Sequence, residues 1–270
     1  MKLYLAVAAW QSWSVLKRHL TVYVRNWHTA ALPPILEPVI LLLVFGVGLG
    51  SSIPDFDWKG QNVSYLSYLA PGILAYTVFM TAFFQALFAA YIRMHYQKTW
   101  EGQLTTQVRL EHVVWGEALW AAALGLAYSV IVFLVIAGFA ISDWIELYWQ
   151  GVILTLPLLF LAGVAFAALG LLFTAIVPTI DHMNIPFYLV IMPLGFASNT
   201  YFPMGGDNLL AKAWLFINPL HHMAEGIRLL LLSDQLSFHL PAAVALYSLM
   251  ILILLPVDLR LLRRRVLGEA

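Results

Sequence analysis

Glu37 is the ionisable side chain best placed to do chemistry inside one of the long apolar stretches of this chain. A carboxylate in such a segment is costly in free energy, so it normally pairs with a cation or serves a function. Arg25 and Arg93 are the basic residues that could reach it. The residue types leave two interpretations open: a structural ion pair, or a carboxylate that meets a substrate where it enters the apolar region.

A second polar group follows an Asn-Pro pair near the C-terminus, in the sequence NPLHHMAEGIR. His221 and Glu225 are four residues apart and so lie on one face of a helix, as two zinc ligands can. No third ligand is evident, the residue order of the zinc-protease helices is missing, and the chain has no cysteine. We therefore interpret His221, His222 and Glu225 as polar residues of short boundary helices and predict no metal site.

The glycine-rich run GVGLG, at residues 46–50, could be suspected of binding a nucleotide. It lies inside an apolar stretch with no strand before it, so it indicates close helix packing, as do Gly163, Ala167 and Gly170. The chain also lacks the GxxxxGK[ST] phosphate loop, so it cannot bind ATP in that way. We predict that this chain itself binds no cofactor.

Long apolar helices must position these residues. Hydrophobic residues make up 62% of the 270 residues and charged residues 10%, which is too apolar for a water-soluble domain of this size. About 30 Å of hydrocarbon requires roughly twenty apolar helical residues. We therefore predict an all-α membrane protein, one domain over residues 1–270, with six spans. The predicted spans are residues 32–53, 71–91 (or from a turn earlier, at 65–68), 114–142, 152–177, 185–197 and 240–257.

The charges between the spans indicate the orientation, because basic residues concentrate on the cytoplasmic side. Basic residues precede the first span and follow the second and the last, whereas acidic residues lie in the alternate loops: Asp55, Asp57, Asp143 and Glu146. Both termini are therefore predicted in the cytoplasm. The turn at 178–184 supports this least, since it holds no lysine or arginine.

Two segments outside the spans are predicted to lie at the cytoplasmic side. Residues 5–28 place tryptophan and aliphatic residues at three- and four-residue spacing. This pattern predicts an amphipathic helix on the membrane surface, with a helix packed on a partner protein as the alternative. The loop at 93–113 is long and polar, with helical character from Thr99 to His112. It is either a helix that docks on a cytoplasmic partner, with Trp100 as its apolar anchor, or a solvated loop.

Residues 199–238 form the remaining unusual segment. Their uncharged run at 213–224 is too short to cross the membrane and is broken at Asn218-Pro219. Proline cannot donate a backbone hydrogen bond, so one continuous helix cannot pass through it. The sequence predicts a re-entrant or interfacial helical pair on the outer side, before the last span.

The chain resembles the ABC type-2 permeases, the membrane subunits of ATP-driven exporters, and most of all those that export lipo-oligosaccharide nodulation factors. The segments LPPILEPVILLLVFGVGLG, YLAPGILAY, QKTWEGQLTTQVRLEHVVWGE and NPLHHMAEGIR carry the resemblance, in order and over essentially the whole chain. The last is similar to the family's asparagine-proline motif followed by an arginine, here Asn218, Pro219 and Arg228.

The resemblance implies a homodimer of permeases in the bacterial inner membrane, in contact with its lipids and without nucleic acid. One cytoplasmic ABC ATPase, which would bind the ATP and magnesium, would sit under each permease, so two copies in all. Residues 5–28 would be the interfacial connecting helix. The coupling residues would be Thr99, Trp100, Glu101, Gln103 and Leu104. An outer gate would be formed by Asn218, Pro219, His221, His222 and Arg228.

These inferences favour a transport subunit, not an enzyme, that moves an amphipathic or lipid-linked saccharide outward. Glu37 would lie where substrate enters from the inner leaflet. The same fold carries drugs and other lipophilic molecules, which is the first alternative. An intramembrane glycolipid-modifying enzyme is the second, and it would require clustered acidic or histidine residues facing one cavity.

Overall fold

Five long helices form most of the protein in a computed structural model that describes residues 2–204, 208–233 and 238–268. Each is long and apolar enough to cross a bilayer, so the chain is a multi-pass membrane protein. In chain order they are the first span (Ala30–Ser52), the second (Tyr65–Tyr96), the third (Leu110–Ile141), the fourth (Gly151–Ile176) and the C-terminal span (His239–Leu267).

The predicted span at residues 185–197 is not among these five helices. The chain there forms a run of short helical pieces that is shorter than any of the five. Pro186 and Pro193 lack the backbone N–H that a regular helix needs, and the turns between them are π-helical. The count of six spans is therefore not confirmed. The pieces are Ile180–Met183, Asn184–Pro186, Phe187–Ile191 and Met192–Phe196.

The second, third and fourth spans pack together as the core. Small residues allow the backbones to approach closely: a Cβ added to Gly163 would lie 2.8 Å from Ala122 Cα on the third span. Aromatic side chains fill the wider gaps, as where the rings of Phe79 and Phe166 meet edge to face with centroids 4.8 Å apart. Small-residue packing of this kind brings membrane helices together where no hydrophobic effect does so.

The leader helix, Trp10–Arg25, lies within the amphipathic helix predicted for residues 5–28. It buries Ser12, Val15 and His19 on the side that packs on the third span. The leader helix exposes an apolar face on the side that does not pack on the third span, as a helix on a membrane surface does. Its location at the membrane surface stays a prediction. The exposed apolar residues along and just after it are Trp10, Trp13, Leu20, Val24 and Trp27.

A β-hairpin between the first and second spans makes the prediction of an all-α chain wrong at this place. Strands Phe56–Trp58 and Gln61–Val63 pair antiparallel. The two turn residues, Lys59 and Gly60, both have positive φ angles, 53° and 83°, as two-residue hairpin turns require. Charged and polar residues between two spans were interpreted only as a loop. We call this side of the molecule the hairpin end.

The loop between the second and third spans lies at the opposite end. Its helix, the loop helix, covers Thr99–Leu104, so the prediction of helix as far as His112 is wrong. The hydroxyls of Thr105 and Thr106 donate to carbonyls three residues earlier, and such local bonds compete with a continuing helix. The third span begins at Leu110, where His112 Nδ1 accepts from the Arg109 N–H at 3.1 Å.

Two helices occupy the described part of residues 199–238, as the sequence predicted for a pair broken at Asn218-Pro219. They are Leu209–Ile217 and the motif helix, Pro219–Leu232. The prediction also covers residues 205–207 and 234–237, which lie outside the described chain. The motif helix packs against the second span at the hairpin end. A re-entrant course through lipid stays a prediction.

Candidate transport site and polar clusters

A cavity of about 460 Å³ lies between the first and second spans, in the half nearer the loop helix. Glu37 is the carboxylate on its wall. The other polar groups on the cavity wall are hydroxyls and one amide, which come from Tyr76, Thr77, Thr81, Gln85 and Tyr128. Most of the remaining surface is apolar and includes Leu41, Met80, Phe84 and Phe88. Ligand sites commonly combine an apolar wall with a few polar groups in this way.

Glu37 makes no ion pair within the described chain. The predicted pairing with Arg93 is wrong, because Arg93 donates to Glu117 instead. Arg25 is exposed and does not pair with Glu37 either. The second interpretation of Glu37, a carboxylate that meets a substrate where it enters the apolar region, therefore stays a prediction.

Arg228 of the predicted outer motif is completely buried at the hairpin end. Its Nε donates to the carbonyl of Tyr68 at 2.9 Å and its Nη2 to the carbonyl of Asn199 at 3.0 Å. The guanidinium also lies 3.7 Å from the centre of the Tyr68 ring. The planar fork of arginine suits several fixed acceptors at once. Arg228 thus joins the motif helix to the second span and to the segment before Leu209–Ile217.

Glu225 completes this cluster, which we call the hairpin-end cluster: Lys59, Tyr68, Glu225 and Arg228. Arg228 Nη1 donates to Glu225, and Lys59 Nζ lies 3.2 Å from Glu225 Oε2. Burial alone would raise the pKa of Glu225, but Arg228 and Lys59 outweigh it and hold the pKa below its ordinary value. The hairpin turn is thereby linked to the motif helix.

Asn218 and Pro219 set the angle between the two helices of the pair. Asn218 Oδ1 accepts from the N–H of Leu220 at 3.0 Å and so caps the motif helix. Its amide nitrogen donates to the carbonyls of Leu194 and Ala197. Pro219 occupies the first turn, where a missing N–H costs nothing. The predicted motif residues Asn218, Pro219 and Arg228 therefore share one structural unit.

His221 and His222 lie at the start of the same helix and are both buried. His222 Nε2 bonds with the carbonyl of Phe216 at 2.8 Å, and its Nδ1 lies 3.2 Å from His239 Nδ1. Burial lowers the pKa of His221 to about 4, so it is neutral at pH 7. Within the described residues, no three histidine, aspartate or glutamate side chains are grouped as a metal site would require.

Of the predicted coupling residues, Trp100 does not lie where the sequence placed it. Its side chain is fully buried inside the protein, so the prediction of Trp100 as an exposed anchor for a partner is wrong. Its indole N–H donates to Glu117 Oε1 at 2.9 Å, which satisfies a polar group that burial would otherwise leave without a partner. The other predicted residues stay at or near the surface: Thr99, Glu101, Gln103 and Leu104.

Glu117 was located in the third span by the sequence but was given no role. It is 1% exposed and bonds with Arg93 and Trp100 at the loop-helix end. The available signal was its type: an ionisable residue inside a span marks a functional or paired group. Its partners could not be predicted, because Arg93 and Trp100 come from two segments whose packing the sequence leaves open.

Five helices long enough to span a membrane, an amphipathic leader and an apolar cavity with one carboxylate fit a membrane transport protein. The sequence profile of the ABC-2 type transporter family matches residues 11–232. The chain therefore belongs to the ABC-2 type transporter family, whose members are the membrane subunits of transporters.

Several relatives align along most of their length. The chain is 34% identical to Nodulation protein J of Rhizobium leguminosarum bv. trifolii over 257 residues, 92% of this chain and 94% of the relative. It is 32% identical to Nodulation protein J of Rhizobium meliloti strain 1021, with 87% of each chain covered. Inner membrane transport permease YadH of Escherichia coli K12 is 24% identical over 80% of each chain.

Proposed function

We propose that this protein is the membrane subunit of an ATP-driven exporter that moves an acylated saccharide, or a molecule of similar amphipathic character, out of a bacterial cell. Membership of the ABC-2 type transporter family supports transport. The relatives named Nodulation protein J, together with the resemblance to lipo-oligosaccharide exporters, support the substrate class. The complex would contain two copies of this chain and two copies of an ABC ATPase in the inner membrane.

The cavity beside Glu37 is the observation that carries this proposal. An acyl chain fits its apolar wall, and a saccharide can bond with the hydroxyl, amide and carboxylate groups of Thr77, Gln85 and Glu37. The cavity lies in the half of the spans nearer the loop helix. With the loop helix in the cytoplasm, an inner-leaflet lipid would reach it directly.

The loop-helix end is the side we assign to the ATPase. Basic residues gather there, at Arg93, Lys98 and Arg109 and at the end of the C-terminal span, which fits the cytoplasmic side. Thr99, Glu101, Gln103 and Leu104 would form the contact surface, with Trp100 holding it from inside. Asn218, Pro219, His221, His222 and Arg228 would shape the outer gate.

The orientation can be measured with single cysteines, because the chain has none. A Cβ at Gly102, in the loop helix, or at Gly138, near the hairpin end, meets no heavy atom within 4 Å. An impermeant thiol reagent applied to intact cells should label Gly138→Cys and leave Gly102→Cys unmodified. The reverse result would invert the assignment of the two ends.

The substrate class is tested with the co-expressed ATPase in inside-out vesicles, using a fluorescent acylated oligosaccharide as the probe. ATP should drive accumulation of the probe, and Glu37→Gln should reduce it several-fold. Glu146→Gln is the matched control, since Glu146 is an exposed acid outside the spans. Accumulation of a lipophilic dye without any accumulation of the saccharide would replace the proposed substrate class with lipophilic small molecules.

A further inference from the structure

Three separate parts of the chain meet at Glu117 Oε1. Arg93 Nε, at the end of the second span, donates to it at 3.0 Å, and Trp100 Nε1 of the loop helix donates at 2.9 Å. His19 Nε2 of the leader helix lies 3.3 Å from the same atom. Glu117 itself belongs to the third span. If Arg93, Trp100 or His19 shifts, Glu117 Oε1 moves with it, and the contacts of the other two residues with that oxygen change.

The loop helix has few other attachments. Trp100 is the one buried side chain among its six residues. Glu101 pairs with Lys98 at 2.8 Å, but both side chains are more than half exposed, and exposed pairs of this kind add little. Lys98, the residue before the helix, has a left-handed φ of 53°, where the chain changes direction. The position of the loop helix relative to the spans is therefore set by Trp100, by the carboxylate that it contacts, and by Leu104, which is partly buried against the core.

The leader helix packs at the neighbouring residue. A Cβ on Gly116 would lie 2.4 Å from Val15 Cγ1 and 3.2 Å from the Ser12 carbonyl oxygen, so the leader helix packs tightly on the third span beside Glu117. His19 is one turn further along the leader and reaches the carboxylate. The leader, the loop helix and two spans thus converge within one small region of the loop-helix end.

We propose that Glu117 is the positioning residue that makes the loop helix, the leader helix and the second and third spans move as one body. The inference rests on the proposed function, because the motion would come from the ATPase. A force on the surface of the loop helix passes through the Trp100 ring to Glu117, and from there to Arg93 and His19. Without this contact, the loop helix would move while the spans stayed behind.

The first test measures the loop helix in the full-length permease without its ATPase, so it does not depend on the proposed function. Spin labels at Gly102→Cys and Gly138→Cys give one distance between the loop helix and the far end of the third span. Trp100→Phe keeps the packed ring and removes only the bond with Glu117. It should raise the displaced population roughly tenfold, as expected for losing a hydrogen bond to a charged group.

Two matched controls separate positioning from general damage. Trp115→Phe also removes one buried indole bond from the third span, the 2.7 Å bond to the carbonyl of Leu3, and should leave the loop helix in place. Glu117→Gln should displace the loop helix, whereas Glu146→Gln should not. An unchanged distance in both Trp100→Phe and Glu117→Gln would overturn the proposal.

The second test measures probe moved per ATP hydrolysed in the complex with the ATPase. Trp100→Phe should lower this ratio in step with the displaced population of the loop helix measured in the first test, while the ATPase still co-purifies. A displaced loop helix with a normal ratio would refute the role of Glu117 in coupling. If the unchanged chain neither binds an ATPase nor moves the probe, the proposed function fails, and the distance measurement still decides whether Glu117 positions the loop helix.

Discussion

The two ends of the molecule each bury one arginine–carboxylate pair, and the two pairs are connected differently. At the hairpin end, Glu225 and Arg228 are three residues apart on one helix, and the remaining donors of Arg228 go to backbone carbonyls. At the loop-helix end, Arg93 and Glu117 come from different spans, and the further partners of Glu117 are side chains of other segments.

This difference separates a fixed joint centred on one helix from a joint that ties several segments together. Backbone carbonyls move only with their whole segment, so the arrangement around Arg228 locks the motif helix onto the second span. Side-chain contacts hold separate segments together only while each side chain keeps its partner, as in the arrangement around Glu117. We therefore expect damage at the hairpin end to reduce stability and damage at the loop-helix end to reduce coupling.

The largest effect should follow Arg228→Leu. It would leave the Glu225 carboxylate buried without its main partner, together with two carbonyls that have lost their donor. Breaking a buried pair in this way costs on the order of 3–5 kcal/mol. The measured quantity is the midpoint of thermal unfolding of the purified permease, followed by size-exclusion chromatography.

Arg260→Leu is the control for this prediction, because Arg260 is exposed on the C-terminal span. It should unfold close to the temperature of the unchanged chain, whereas Arg228→Leu should lose much of the folded protein. Equal midpoints for the two variants would show that the buried cluster is not a fixed joint.

The two ends were not equally predictable from the sequence. NPLHHMAEGIR pointed to Asn218, Pro219 and Arg228 because it is similar to the family's asparagine-proline motif followed by an arginine, which lies within one short segment. To predict the partners of Glu117, one would have to know how three segments pack. Trp100 was assigned to the surface because a polar loop contained it. Local chemistry can be inferred from neighbouring residues, whereas contacts between distant segments depend on tertiary packing.

The same reasoning explains the errors in the fold. The long apolar helices were predictable from composition and length, and the amphipathic leader was predictable from the three- and four-residue spacing of its apolar residues. The hairpin at 56–63 depends on positive φ angles at Lys59 and Gly60, and Lys59 gives little sign of such a turn. The segment at 180–196 is apolar enough for a span, but its prolines divide it into short pieces.

Gly116→Leu should give the second-largest effect and should disturb the loop-helix end without removing any of its hydrogen bonds. The new side chain would collide with Val15, so the leader helix must shift from the third span. Overpacking of this kind typically costs about 1–3 kcal/mol. If the leader moves with the spans through this contact, transport per ATP should fall while Trp100 stays buried.

Gly138→Leu is the matched control for this variant, because a Cβ there meets no heavy atom within 4 Å. Transport per ATP and the unfolding midpoint are both measured. A normal transport ratio in Gly116→Leu would restrict the joint between segments to Glu117, Arg93 and Trp100 and leave the leader helix out of it.

A smaller effect is expected for Lys59→Met, which removes the exposed member of the hairpin-end cluster. Lys59 is 41% exposed, so its bond with Glu225 should contribute only about 0.2–1 kcal/mol and weaken with added salt. The pKa of Glu225 is lowered in the folded protein, so its stabilising effect is complete at neutral pH. That effect is lost as the pH falls below the ordinary carboxyl value.

The check is the unfolding midpoint of Lys59→Met and of the unchanged chain at low and high salt, at neutral pH and near pH 4. The difference between the two proteins should be small, should shrink in high salt, and should shrink again near pH 4. A large difference that salt does not alter would mean that the hairpin turn is a rigid part of the joint.

Asp258→Asn should have the smallest effect of all, although Asp258 is as deeply buried as Arg228. Neither of its carboxylate oxygens has a hydrogen-bond partner in the described chain. An ionised carboxylate there would carry a large desolvation cost with no cation to offset it, so we expect Asp258 to hold a proton. Asparagine has the same shape and no charge. Between pH 6 and 8, the unfolding midpoint of Asp258→Asn should therefore differ little from that of the unchanged chain.

Glu117→Gln, which removes the charge of a paired carboxylate on another span, should lower the midpoint under the same conditions. If Asp258→Asn instead destabilises the protein as much as Glu117→Gln does, the expectation that Asp258 is protonated is wrong.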